Sequence, residues 1–191
     1  MASDAFASVQ QWARGRAWLP RALVVAAMAW IGARVTADPG RWTLFSPIDL
    51  GLHEAGHLLM RPFGQVLCAF GGTLLQCLAP VFAAIVLARR DDWFGVAFCG
   101  FWLGLNLHEV SHYMADARAM VLQLVTVGGG EAKHDWNFLL GRFGLLRSDR
   151  TLAGLVRVLG FLVTWVSILA SGGLVLLIRR ESRGAGSTVW G

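Results

Sequence analysis

From Val66 to Ala88 the chain runs for 23 residues without a charge, and it stops abruptly at Arg89-Arg90-Asp91-Asp92. A helix of that length rises about 34 Å, enough for the roughly 30 Å hydrocarbon core of a bilayer. With no water to satisfy its amides, such a segment must close its own backbone hydrogen bonds, which a helix does. The rest of the chain follows suit. It is 55% hydrophobic and 15% charged, against about 45–50% and about 25% in soluble domains. Several of the nine Trp flank apolar runs, where indole favours the headgroup region. The expectation is an all-α, polytopic membrane helix bundle forming one domain over residues 1–191.

Four further segments join the first. Residues 1–17 read as an amphipathic lead-in with Trp12 and Trp18 at the interface, followed by a span from Leu19 to Val35. Arg14, Arg16 and Arg21 ahead of an apolar run, with Val35-Thr36-Ala37 behind it, imitate a signal peptide; the segment reads as a retained span. Ser46-Pro47 predicts an N-cap with proline at the first helical position, and Pro62 and Gly64 close that helix. Its length of about 15 residues gives only about 22 Å, so it either extends upstream or enters the membrane partway. Trp93 to Tyr113 and Leu152 to Ile178 read as spans, the latter capped by Ser148-Asp149 and stopped by Arg179-Arg180. Residues 118–148 read as extramembrane or interfacial, with a break at Gly128-Gly129-Gly130 and a short amphipathic helix from His134 to Leu146. Residues 181–191 read as a polar tail. The count is four or five membrane helices. Basic residues divide too evenly between the two sides to choose.

The net charge of +5 sits at the ends of apolar runs, as topology signals and lipid-headgroup contacts. No basic stripe is interleaved with stacking aromatics, so no nucleic-acid partner is expected. Cys68, Cys77 and Cys99 lie in apolar stretches without a CxxC, and an odd count excludes a full disulfide framework.

Chemistry concentrates in the histidines. Four of the five fall into two HExxH patterns, His53-Glu54-Ala55-Gly56-His57 and His108-Glu109-Val110-Ser111-His112. With this His and Glu content, chance yields the pattern on the order of 0.003 times per sequence. Residues four apart share a helix face, so His53 and His57 can reach one metal ion, with Glu54 beside them to activate water. Asp49, His53 and His57 form one ladder, and His108, His112 and Asp116 a second in reverse order. Placed antiparallel, the two could face each other. Glu131 to Trp136 follows the triple glycine, and His134 or Asp135 is expected to complete a coordination shell or cap the next helix. Ionisable groups in membrane segments are read as functional by default; a metal-free hydrogen-bonded network is the competing account. Gln76 reads as a packing hydrogen bonder rather than a substrate contact. Gly71-Gly72 reads as permitting close helix approach.

At Ile48–Met60, with its HEAGH, and more weakly at Asn106–Asp116, the chain resembles the site-2-protease-like intramembrane zinc metalloproteases. The resemblance implies a zinc metallopeptidase of a bacterial inner (cytoplasmic) membrane, acting on a membrane-protein or peptide substrate. It implies His53 and His57 as zinc ligands, Glu54 as base and Asp116 as third ligand; the residues themselves offer His134 as an alternative. Asp49, His108, Glu109, His112 and Asp135 remain as outer partners or ligands of a second metal. The family's segment holds a Pro and ends Leu-Asp-Gly; here the Pro is missing and Ala117-Arg118 follows Asp116.

Two other classes fit part of the pattern. Glu54-x-x-His57 and Glu109-x-x-His112 are paired Glu-x-x-His motifs, as in bundles that hold two iron or manganese ions. Those need two more glutamates, and only Glu131 and Glu181 are left to supply them. A non-catalytic subunit of a larger respiratory or photosynthetic membrane complex, built on a metalloprotease-like fold, is the third reading.

Overall fold

The computed structural model describes residues 2–124 and 133–187, with side chains described for 7–124 and 133–184. Gly128-Gly129-Gly130 and Glu131, singled out above, lie outside the described residues. The described residues form seven helices and two short 3-10 turns, with no strand. They are α1 (Ala2–Ala13), α2 (Trp18–Ala37), α3 (Ser46–Met60), α4 (Gln65–Ala88), α5 (Trp93–Ala115), α6 (Asp135–Arg142) and α7 (Asp149–Ser187). The turns are Arg61–Phe63 and Leu146–Ser148.

Local chemistry explains the boundaries. Pro47 opens α3 and Asp49 sits in its first turn, where a carboxylate meets the positive end of the helix. The Ser46 hydroxyl does not cap α3. It accepts from Thr43 N at 3.0 Å and donates to Glu109 Oε1 at 2.6 Å, so its capping role is taken over by a contact with α5. Gly64, at φ +96°, lets the chain swing directly into α4. Asp92 caps α5 by accepting from Gly95 N at 3.2 Å. The Arg179-Arg180 pair does not stop the last helix: α7 runs through residues 181–187, expected as a polar tail. Arg157 donates to the Thr36 carbonyl at 3.3 Å and ties α7 to the end of α2.

Among the described residues, three helices are long and apolar enough to cross a membrane: Trp18–Ala37, Gln65–Ala88 and the continuous Leu146–Gly184 segment. α5 has the length, but its second half carries Asn106, His108, Glu109, Ser111 and His112. The distribution of polarity is inverted relative to a water-soluble bundle. Leu169 and Trp30 are 71% and 65% exposed, whereas Asn106, Asp49 and Thr164 are fully buried. An outer apolar belt around a polar interior is what lipid as solvent selects.

α5 stands between α4 and α7. Met28 and Val35 of α2, Phe101 and Leu105 of α5 and Ile168 of α7 form one apolar cluster. A second joins Val110 and Met114 to Leu140 and Ala153, and anchors α6. Trp12 is not an interfacial side chain; it packs inward on Ile178 and ties α1 to α7.

The tightest contact is between α3 and α4. A Cβ on Gly56 would collide with the Gly71 carbonyl and lie 2.9 Å from Gly72 Cα, and one on Gly71 would lie 2.5 Å from the Gly56 carbonyl oxygen. The glycine inside HEAGH and the Gly71-Gly72 pair therefore bring two backbones into contact, as small residues do between membrane helices.

Candidate metal centre

His53 and His57 project from one face of α3, their ring centroids 4.7 Å apart. The glycine seam positions them. A Cβ on Gly72 would lie 2.6 Å from His53 Nε2, so the ring occupies the space that the missing side chain leaves. Each ring is held from behind. His57 Nδ1 lies 2.8 Å from the Cys68 carbonyl oxygen, and His53 Nδ1 lies 3.2 Å from Gln76 Oε1. Both partners belong to α4.

The third member is Asp135, at the first position of α6. Its Oδ2 is 3.2 Å from His53 Nε2 and 3.3 Å from His57 Nε2. Tyr113 fixes it twice, accepting from Asp135 N at 3.0 Å and donating to Oδ2 at 3.2 Å. Burial pushes the pKa of this carboxyl up, but the contacts to His53 and His57 outweigh it, and the group is held below the ordinary carboxylate range. Among the described residues, His53, His57 and Asp135 are the one set of three such side chains whose ligand atoms gather, all within 4.8 Å of one another.

The resemblance pointed to Asp116 for that third place, and the segment after the triple glycine offered His134 or Asp135. Asp135 is the one that gathers with the two histidines; Asp116 and His134 are engaged elsewhere. Asp116 accepts from Val121 N at 3.1 Å and Leu122 N at 3.0 Å, closing the loop after α5. His134 caps α6, with Nδ1 accepting from Asn137 N at 3.2 Å, and its Nε2 is 3.4 Å from Asp116 Oδ2. It also stacks on Tyr113 at 4.3 Å. Burial pushes the His134 imidazolium toward the neutral form, against the pull of Asp116 and Asp135. His134 and Asp116 thus brace the chain that delivers Asp135.

The second HExxH is not assembled into a facing ladder. His108 is buried with both ring nitrogens lacking hydrogen-bond partners, and its backbone packs against Gly160 of α7. His112 is exposed and abuts the Asp38-Pro39-Gly40 turn, where a Cβ on Gly40 would lie 2.6 Å from its Nε2. Glu109, one step around the helix, turns instead toward α3 and α4, accepting from Ser46 Oγ and from Gln76 Nε2 at 3.1 Å. Asp49 accepts from Trp102 Nε1 at 2.7 Å. Tyr113 was not anticipated; nothing in its sequence surroundings marks it, because its role depends on where α6 lands. Gln76 was read as a packing residue, and it is also in contact with a site histidine.

The donor set can be tested by valence alone. A backbone carbonyl only accepts, so His57 Nδ1 carries the hydrogen, and in the neutral ring Nε2 presents its lone pair. Two imidazole lone pairs and a carboxylate oxygen then converge, and without a cation or extra protons between them they repel. The spacing fits a metal: ligands about 2.0–2.1 Å from a tetrahedral zinc stand about 3.3–3.4 Å from one another. Histidines held through their second nitrogen are the usual arrangement of metal ligands. The three atoms face a cleft of about 830 Å³ that Glu54, His112 and Tyr113 also line.

Comparison of the chain with known families, with curated proteins and with solved structures finds no match.

Proposed function

We propose that the protein is a membrane-embedded zinc metallopeptidase, with the metal held by His53, His57 and Asp135 and with Glu54 as general base. The observation that carries this reading is the convergence of two back-bonded imidazoles and one carboxylate at the wall of an open cleft. The proposed topology has α2, α4, α5 and α7 crossing the bilayer and α3 entering partway. What supports it is the 15-residue length of α3 and its exposed Ile48, Leu58 and Leu59.

Zinc at such a site supplies Lewis acidity and lowers the pKa of water toward about 7. The protein's own groups do the rest. Glu54 follows His53 directly and lines the same cleft, so its carboxylate is placed to take a proton from water and hand it to the departing amine. His57 and Cys68 hold each other across α3 and α4: Nδ1 donates to the carbonyl, and Cys68 Sγ donates back to the His57 carbonyl at 3.5 Å. Asp135 keeps its charge, oriented by Tyr113.

The test is cleavage of a membrane-segment peptide by purified protein, wild type beside Glu54→Gln. The variant is expected to keep about one zinc per chain and to lose activity by roughly 100- to 10,000-fold. Full activity in Glu54→Gln removes it as the base.

A further inference from the structure

His53 has two tautomers, and only one leaves Nε2 free to hold a cation. We propose that Gln76 is the positioning residue that selects this tautomer, itself held in register by Asn106 and Glu109; the inference rests on the metal reading above.

The argument starts from a group whose role is unambiguous. The backbone carbonyl of Gln76 can only accept, and Asn106 Nδ2 donates to it at 3.0 Å. Asn106 therefore turns its other end, Oδ1, to the Gln76 side chain, where Nε2 stands at 3.1 Å. Gln76 Nε2 also donates to Glu109 Oε2 at 3.1 Å, while Glu109 Oε1 is occupied by Ser46 Oγ. Turning the Gln76 amide over would set its oxygen against two acceptors at once. Only the present orientation satisfies every member. Oε1 is thereby aimed at His53 Nδ1, 3.2 Å away, so Nδ1 must carry the hydrogen, and in the neutral ring Nε2 keeps its lone pair. Gln76 is 5% exposed and Asn106 fully buried, so water does not scramble the pattern.

The alternative tautomer has a ready partner of its own. With hydrogen on Nε2, His53 would donate to Asp135 Oδ2, 3.2 Å away, and the cation site would close on itself. Gln76 thus decides whether the His53–Asp135 contact is a pair of ligands or a hydrogen bond. Partners of this kind change metal affinity by about 10–100-fold.

The experiment uses the full chain in detergent, titrated with Co²⁺ and followed by its visible ligand-field bands, with Zn²⁺ affinity measured by chelator competition. Gln76→Met, similar in length and unable to accept, is expected to bind about 10–100-fold more weakly, with altered bands and a changed His53 ring-nitrogen NMR signature. The double replacement Gln76→Glu with Glu109→Gln exchanges amide and carboxylate while keeping an acceptor behind His53, and it is expected to restore most of the affinity. If wild type binds Co²⁺ no better than His53→Ala, the metal reading fails, and this inference falls with it. If wild type binds and Gln76→Met binds equally well with unchanged bands, the metal reading stands and the positioning role is overturned. Should Gln76→Met not fold, Asn106→Leu removes the anchor one step back. A smaller loss in the same direction supports the proposal, and unchanged bands overturn it.

Discussion

His53–His57 and His108–His112 carry the same pattern at the same helical spacing, yet the two segments are used in opposite ways. The first lies on a short helix pressed backbone to backbone against α4, so both rings meet acceptors from one neighbour and point their free nitrogens at Asp135. The second lies on a helix packed between two others. His108 is buried beside α7, His112 lies at the surface, and Glu109 points to α3 and α4. Spacing puts residues on one face of a helix; it does not choose what that face meets. The glycines choose here: Gly56 and Gly71 let the two backbones meet, and Gly72 leaves room for the His53 ring.

The largest expected effect tests that contrast directly. His53→Ala, His57→Ala or Asp135→Asn should each remove bound zinc from the purified protein, because three protein ligands are the minimum such a catalytic site uses. His112→Ala and Asp116→Asn should retain about one metal ion per chain. Elemental analysis reads both sets. Loss of metal from His112→Ala, or retention in Asp135→Asn, would break the distinction between the two segments.

A smaller effect should follow from filling the seam. An alanine methyl at Gly72 would lie 2.6–2.8 Å from three atoms of the His53 ring, so the ring must move from its place between Gln76 and Asp135. Gly72→Ala also gains up to about 1 kcal/mol of helix propensity, which offsets strain. The expected outcome is a protein of near-wild-type thermal stability whose zinc affinity is about tenfold lower, on the scale of a misplaced outer partner. Gly160→Ala, which meets Leu107 Cβ at 3.1 Å and the His108 backbone at 3.3 Å, should leave zinc affinity unchanged. Equal behaviour of the two variants would mean that the Gly72 seam does not position the ligand.

Much of this was legible in the residues, and the remainder was not, for a definite reason. The membrane helices follow from uncharged runs with sharp charged ends, and α4 and α5 begin within a residue of where Val66 and Trp93 predict. The close approach at Gly71-Gly72 was likewise readable, since small residues have few other uses in such a helix. The extent of α7 was not, because Arg179-Arg180 can end a membrane crossing without ending a helix. The third member of the cluster was only half legible, because the segment after the triple glycine offered His134 or Asp135 and nothing local chose between them or set them above Asp116. Asp116 has the spacing of a ladder, but its two oxygens are taken by Val121 N and Leu122 N. Asp135 has no periodic relation to His53, and it arrives only because α6 docks with Tyr113 behind it. A contact made across 78 residues of chain (from His57 to Asp135) leaves no periodic trace in the sequence between them.

The smallest predicted effect is the sharpest test of the second segment's role. Both ring nitrogens of His108 are buried without hydrogen-bond partners among the described residues. A polar group in that condition forfeits its hydration without recovering a bond, a cost of about 1–3 kcal/mol. Replacing it by an apolar side chain of similar volume should relieve that cost. His108→Leu is therefore expected to leave zinc content and cleavage unchanged and to be neutral or more stable by about 1 kcal/mol, read as a rise in thermal unfolding temperature in detergent. The same replacement at His53 should abolish metal binding. If His108→Leu instead lowers zinc content, His108 is coupled to the site as well as Glu109, and the division of labour between the two histidine pairs is wrong.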